Sequence, residues 1–113
     1  MKALELALKY MDIVFSDKDM GALRPLLSDR FTFKGTLNEY NNPESYIREM
    51  KKEPSNGFHY KILKTFETRS AACLVYEFTK AKICTTMTQV FEVSNGQIDR
   101  VMLIFDSAAF LNK

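Results

Sequence analysis

Four runs rich in β-branched and aromatic residues follow one another through the second half of the chain, at residues 58–67, 71–80, 83–93 and 97–105. The gaps between them suit only tight hairpins. Consecutive strands joined this way form an antiparallel meander, and its apolar face needs a second layer. The first half supplies that layer. Leu4, Ala7, Leu8, Met11, Val14 and Phe15 recur at helical spacing over residues 3–16, with Lys2, Glu5, Lys9, Asp12 and Ser16 opposite. Asp17-Lys18-Asp19 breaks the pattern, and Asp19 is placed to cap a short helix through Leu27, which Pro25 should divide into two turns. A short strand is expected at Phe31-Thr32-Phe33-Lys34, followed by a polar loop. Asn42-Pro43-Glu44 then opens a third helix whose apolar side is Tyr46, Ile47 and Met50, and Pro54-Ser55-Asn56-Gly57 ends it. Helices gathered before an antiparallel sheet make an α+β chain.

The last hairpin decides which side chains point inward. A two-residue turn at Asn95-Gly96 sets Glu92 opposite Asp99, an unfavourable like-charge pair. A three-residue loop, Ser94-Asn95-Gly96, pairs Phe91 with Asp99 and Val90 with Arg100 instead, and is preferred on charge grounds. It groups Thr85, Met87, Gln89, Phe91, Val93, Asp99, Val101, Leu103 and Phe105 on one face. A turn near Lys80-Ala81-Lys82 adds Ala72, Leu74, Tyr76 and Phe78 to them. The other face carries Cys73, Val75, Thr86, Thr88, Val90, Ile98, Arg100, Met102 and Ile104.

At 113 residues the expectation is one domain, 1–113, with a core that needs neither disulfide nor metal. Sixteen Lys and Arg against fourteen Asp and Glu are interspersed along the chain, unlike the basic stripe of a nucleic-acid binder. No run approaches the roughly 18 apolar residues of a membrane span, and charges interrupt the N-terminal segment where a signal-peptide core would lie. A single histidine, His59, excludes a His-rich metal site, and no cofactor motif is present. Cys73 and Cys84 share a face but lie several residues apart along their strands, so two free thiols and a cytoplasmic setting are expected.

The element order resembles the nuclear transport factor 2-like superfamily, which includes SnoaL-like cyclases and ketosteroid isomerases. The likeness rests on the first helix running into Asp17-Lys18-Asp19-Met20, on Leu26-Leu27-Ser28-Asp29-Arg30-Phe31-Thr32-Phe33, and on Val90-Phe91-Glu92-Val93-Ser94-Asn95-Gly96-Gln97-Ile98. It implies a cone-shaped α+β barrel, with three N-terminal helices packed on the concave face of a curved, mainly antiparallel sheet. It also implies a cavity lined by Met11, Phe15, Phe33, Tyr46, Met50, Tyr76, Met87, Gln89, Leu103 and Phe105. In ketosteroid isomerases an Asp base works with a Tyr and a protonated Asp. Laid on this chain, those positions fall on Gly35, Met11 and Gln89, with Tyr10 one residue from Met11 and about 100° around the helix. All three depart from the pattern, so ketosteroid isomerisation is not expected.

Three residues remain as catalytic candidates. His59 is either a proton shuttle or a histidine at a strand end. Asp99 is the one carboxylate turned inward, or a solvated residue near the hairpin end. Tyr10 offers a phenol. Gln89, mid-strand among apolar neighbours, is either a ligand-orienting amide or a satisfied core amide. The reading is a domain that binds a small apolar or amphipathic molecule, as a binder or as an enzyme of the isomerase or cyclase kind. The alternative is a non-catalytic interaction module with a filled cone. No helix is left to cover the convex face, so a homodimer through Val75, Thr88, Val90, Met102 and Ile104 is expected, without nucleic-acid or membrane partners.

Overall fold

Burial on one side explains the first helix, α1 (Ala3–Val14): Leu6, Ala7, Tyr10 and Met11 are all essentially inaccessible. In the computed structural model, which describes residues 1–16, 19–52 and 58–111, α1 is followed by a 3-10 helix at Met20–Leu26. Asp19 caps it by accepting the Gly21 N–H at 2.9 Å. The expected break at Pro25 is absent. A 3-10 spiral bonds to the residue three back, which relieves the ring clash that proline causes in an α-helix.

Strand β1 (Leu27–Gly35) is longer than the expected Phe31–Lys34, because Leu27 pairs with Ile98 across an irregularity before regular pairing resumes at Thr32. The expected polar loop holds a two-residue strand, β2 (Glu39–Tyr40), paired with Phe33 and Lys34. Helix α2 (Pro43–Lys52) starts where Asn42 Oδ1 accepts the Ser45 N–H at 2.8 Å. Arg24 bridges Glu44 and Asp29, tying the 3-10 helix to α2 and β1. Strands β3 (Phe58–Glu67), β4 (Ala71–Lys80), β5 (Ile83–Ser94) and β6 (Gln97–Phe105) form the meander, and one turn of helix, α3 (Ala108–Leu111), follows. The expected terminator Pro54-Ser55-Asn56-Gly57 lies outside the described residues.

The sheet order is β2-β1-β6-β5-β4-β3, antiparallel except where β1 runs parallel to β6. It curves without closing, so β2 and β3 remain edges. α1, the 3-10 helix and α2 pack on its concave side.

The last hairpin corrects the expected register. Asn95 and Gly96 both have positive φ, 51° and 74°, and form a two-residue turn between Ser94 and Gln97. The like-charge clash is avoided by a bulge at Asp99, which sets Glu92 opposite Arg100 and Phe91 opposite Val101. This differs from the expected pairing by two residues, an even number, so the sides taken by Val101, Leu103 and Phe105 are those expected. Ile98, before the bulge, and Asp99, within it, are exceptions: Ile98 is fully buried against Leu27 and Val93 rather than on the convex face, and Asp99 stands in a surface pocket rather than on the concave wall. At the preceding turn Lys80 pairs with Ile83, and Ala81 takes a φ of 53°.

Candidate functional site

The helices do not fill the concave face completely. A cavity of about 300 Å³ remains between α1, α2, the sheet, and the residues around β2 and α3. Tyr10, Val14 and Phe15 reach it from α1, Tyr46 and Met50 from α2, and Met87, Gln89, Leu103 and Phe105 from the sheet. Leu37, Asn38, Tyr40, Phe58, Lys80 and Phe110 also line it, and Leu37, Asn38 and Lys80 are solvent-exposed, which places them at the mouth.

Its inner end is polar. Tyr10, Tyr46, Tyr76 and Gln89 are each 3% exposed or less. Tyr76 donates to Gln89 Oε1 at 2.7 Å. Gln89 also bonds the Tyr10 hydroxyl, and Tyr10 and Tyr46 share a short hydroxyl–hydroxyl hydrogen bond. With Oε1 already accepting from Tyr76, the Gln89 amide nitrogen donates to Tyr10. Either hydroxyl of the Tyr10–Tyr46 pair can donate to the other; with Tyr10 as donor, the Tyr46 O–H is the free donor at the end of the chain. Burial pushes all three phenols above their usual range. Tyr46 adds to the push on Tyr10, and Tyr10 and Tyr60 add to that on Tyr76. Tyr46 is raised despite its bond from Tyr10, which pulls the other way. Each therefore stays a neutral hydroxyl at physiological pH.

Nine of the ten residues expected around a cavity lie on this wall. Met11 does not. It is fully buried, but α1 turns Tyr10 and Val14 toward the cavity and carries Met11 about 100° away from Tyr10. Asp99 lies elsewhere, in a shallow surface pocket with Ser28, Arg30, Ser94 and Gln97 that shares no residue with the cavity. It accepts from Ser94 Oγ at 2.5 Å and pairs with Arg30 at 3.3 Å. Burial raises its carboxyl, but hydrogen bonds from Ser94, Ser28 and Arg30 outweigh that and hold it below the usual range. His59 is exposed on β3 opposite Thr79 and is also off the wall. At Gly35 an added Cβ would meet Asn38 Oδ1 at 2.8 Å and the Phe33 ring at 3.0 Å, so a catalytic acid does not fit there without movement.

Lys80, Phe58, Phe78 and Phe110 are wall residues that the sequence reading did not single out. Phe78 was legible, two residues from Tyr76 on the same face of β4. Phe110 was not, because α3 was not expected.

The convex face presents two cross-strand rows, Phe66–Cys73–Val90–Met102 and Val75–Thr88–Ile104. Phe66 and Ile104 are each 57% exposed. Cys73 pairs with Val90 and Cys84 with Thr79, and both thiols are free. Among the described residues no cluster of His, Cys, Asp and Glu could hold a metal ion, and no helix is long and apolar enough to cross a membrane.

No family model and no curated protein sequence matches the chain. Solved structures do. A nuclear transport factor 2-like protein of unknown function from Cytophaga hutchinsonii superposes with a TM-score of 0.84 at 22% identity, over 98% of this chain and 96% of that one. The fold is that of the nuclear transport factor 2-like proteins. An LEH-like epoxide hydrolase from M. tuberculosis gives a TM-score of 0.79 at 15% identity, covering 97% of this chain and 86% of its own. A proposed isomerase of the SnoaL-like family from Agrobacterium tumefaciens gives 0.78 at 11%, covering 92% and 97%. On this scaffold, the chain keeps a cavity whose polar inner end is built from tyrosines and one amide.

Proposed function

We propose that this domain binds a small, mainly apolar molecule in the concave cavity and holds one neutral oxygen of it with the Tyr46 hydroxyl. The carrying observation is the hydrogen-bond chain from Tyr76 through Gln89 and Tyr10 to Tyr46, which, with Tyr10 donating to Tyr46, leaves one buried donor at its end. A neutral phenol suits a carbonyl, ether or epoxide oxygen. The cavity wall contains no carboxylate or imidazole among the described residues, so it lacks a general base for proton abstraction. Binding, or electrophilic assistance to a reactive oxygen, is the chemistry these groups favour. The names of the epoxide hydrolase and the SnoaL-like neighbour fit a small-molecule site on this scaffold. The two free thiols fit the cytoplasm.

The test is calorimetric, with 2-acetylnaphthalene as a neutral ketone probe. Wild type should bind it, and Tyr46→Phe, which keeps the ring and removes the donor, should bind roughly three- to tenfold more weakly. No binding to wild type, or equal binding to both, overturns the reading.

A second part of the reading is assembly as a two-fold homodimer through the convex face, with Val90, Met102 and Ile104 central and Glu92 and Arg100 toward the rim. The apolar side chains of these two rows, with Phe66 at one end, support it.

A further inference from the structure

The cavity wall carries a single charge among the described residues. It is positive, and it stands at the mouth. Lys80 ends β4 opposite Phe58, and its ammonium lies 4.7 Å from the centre of the Phe58 ring. Both residues line the cavity. Ring contact of this kind holds a lysine against an apolar rim instead of letting it extend into water. Lys80 takes part in none of the ion pairs among the described residues, which use Arg24, Arg30 and Lys52. An apolar funnel with a neutral donor at its inner end and an uncompensated cation at its mouth is not symmetric toward ligands. It repels cations, gives a neutral molecule nothing at the rim, and gives an acid a partner at both ends.

Resting on the reading above, we infer that the cavity selects amphipathic organic acids, with an apolar body whose carbonyl or ether oxygen meets Tyr46 and a carboxylate that stands at the mouth beside Lys80. Lys80 is then a specificity-determining residue. The carboxylate stays at the wet rim, where it keeps much of its hydration, and the apolar body supplies most of the affinity.

The test compares 6-oxo-6-phenylhexanoic acid with its methyl ester by titration calorimetry. The two share body and ketone and differ in the charge at the far end. The acid should bind wild type about fivefold more tightly, the size of one partly exposed ion pair. Raising salt from about 0.01 M to about 1 M should erase most of that preference. Lys80→Gln should bring the acid-to-ester ratio near one, and Lys80→Glu should make the ester the better ligand. Lys61→Gln, an exposed lysine on β3 outside the cavity wall, should keep the wild-type ratio. Equal binding of acid and ester to wild type, or an unchanged ratio in Lys80→Gln, overturns this inference and leaves the neutral-acceptor site standing. If neither molecule binds, both fall.

Discussion

Strands β4, β5 and β6 carry two different surfaces on one backbone. On the concave side Leu74, Tyr76, Gln89, Phe91 and Val101 are all at 3% exposure or less. On the convex side Cys73, Val75, Thr88, Val90 and Met102 are only half-buried and Ile104 is exposed. Alternation along a strand produces both faces, so hydrophobicity alone does not separate them. What separates them is the helical layer, which covers one face and leaves the other without a cover. The polar groups follow the same division. Those lining the cavity form a chain of hydrogen bonds with one another, whereas the convex threonines have water within reach.

The largest expected contrast comes from truncating one residue on each face. Phe91→Ala should cost about 3–5 kcal/mol in urea unfolding, since Phe91 is fully buried in a T-shaped pair with Tyr10, ring centres 5.1 Å apart. Ile104→Ala should leave the unfolding free energy of the monomer within about 0.5 kcal/mol. Equal losses at the two sites would erase the distinction between the faces. A smaller effect belongs to the amide. Gln89→Leu removes the acceptor for Tyr76 and the donor for Tyr10, and should cost about 1–3 kcal/mol of stability as well as weakening ligands. Unchanged stability would mean that the chain does not hold the core together.

Alkali sharpens the comparison further. The folded phenols of Tyr10, Tyr46 and Tyr76 lie above the unfolded value of about 10, so their contribution is complete below that pH. It is lost as pH rises past it, at about 1.4 kcal/mol per pH unit for each phenol that ionises only on unfolding. Absorbance at 295 nm should show these three phenols ionising together with loss of the fold. Ionisation of these three phenols before the fold is lost would mean that the cavity floor is open to water. The smallest effect on folding, under about 0.5 kcal/mol, is expected from Ile104→Lys. If the proposed dimer forms, sedimentation should nonetheless show a dimeric wild type and a monomeric variant, because the contact cannot bury an unpaired ammonium. A wild type that sediments as a monomer at tens of micromolar removes the dimer.

The sequence was most informative where local pattern and tertiary environment agree. Residues 58–67, 71–80 and 97–105 alternate against a single covering layer, and their strands have those bounds. It was least informative where distant partners decide. Ser28-Asp29-Arg30 is polar and resembles a loop, yet it belongs to β1, because Leu27 finds Ile98 some seventy residues later. β2 is a strand only because Phe33 lies beside Tyr40. The bulge was hidden for a related reason. Charge excluded a plain two-residue hairpin, and both a longer loop and a single extra residue remove the clash while keeping the later side chains on the same sides. In the cavity, Phe33, Tyr46, Tyr76 and Gln89 follow from face counting. Met11 does not, since a helix presents several apolar residues to a core and only the neighbours decide which of them meets empty space. Lys80 was hidden because a lysine beside a turn has the same letter whether it points to bulk water or over a ring.

The open sheet has a consequence for behaviour in crowded solution. A long free strand is a template on which another chain can add, and fibrils grow by that route. β2, at one edge, is too short to serve. β3, at the other, is ten residues long, but Leu63 bulges out of its ladder and lysines stand at 61 and 64 on either side of that kink. An incoming strand would meet a broken row of amides and two like charges. A sheet that curves around a cavity without closing thus keeps an exposed edge, and the sequence of that edge discourages the aggregation it would otherwise invite.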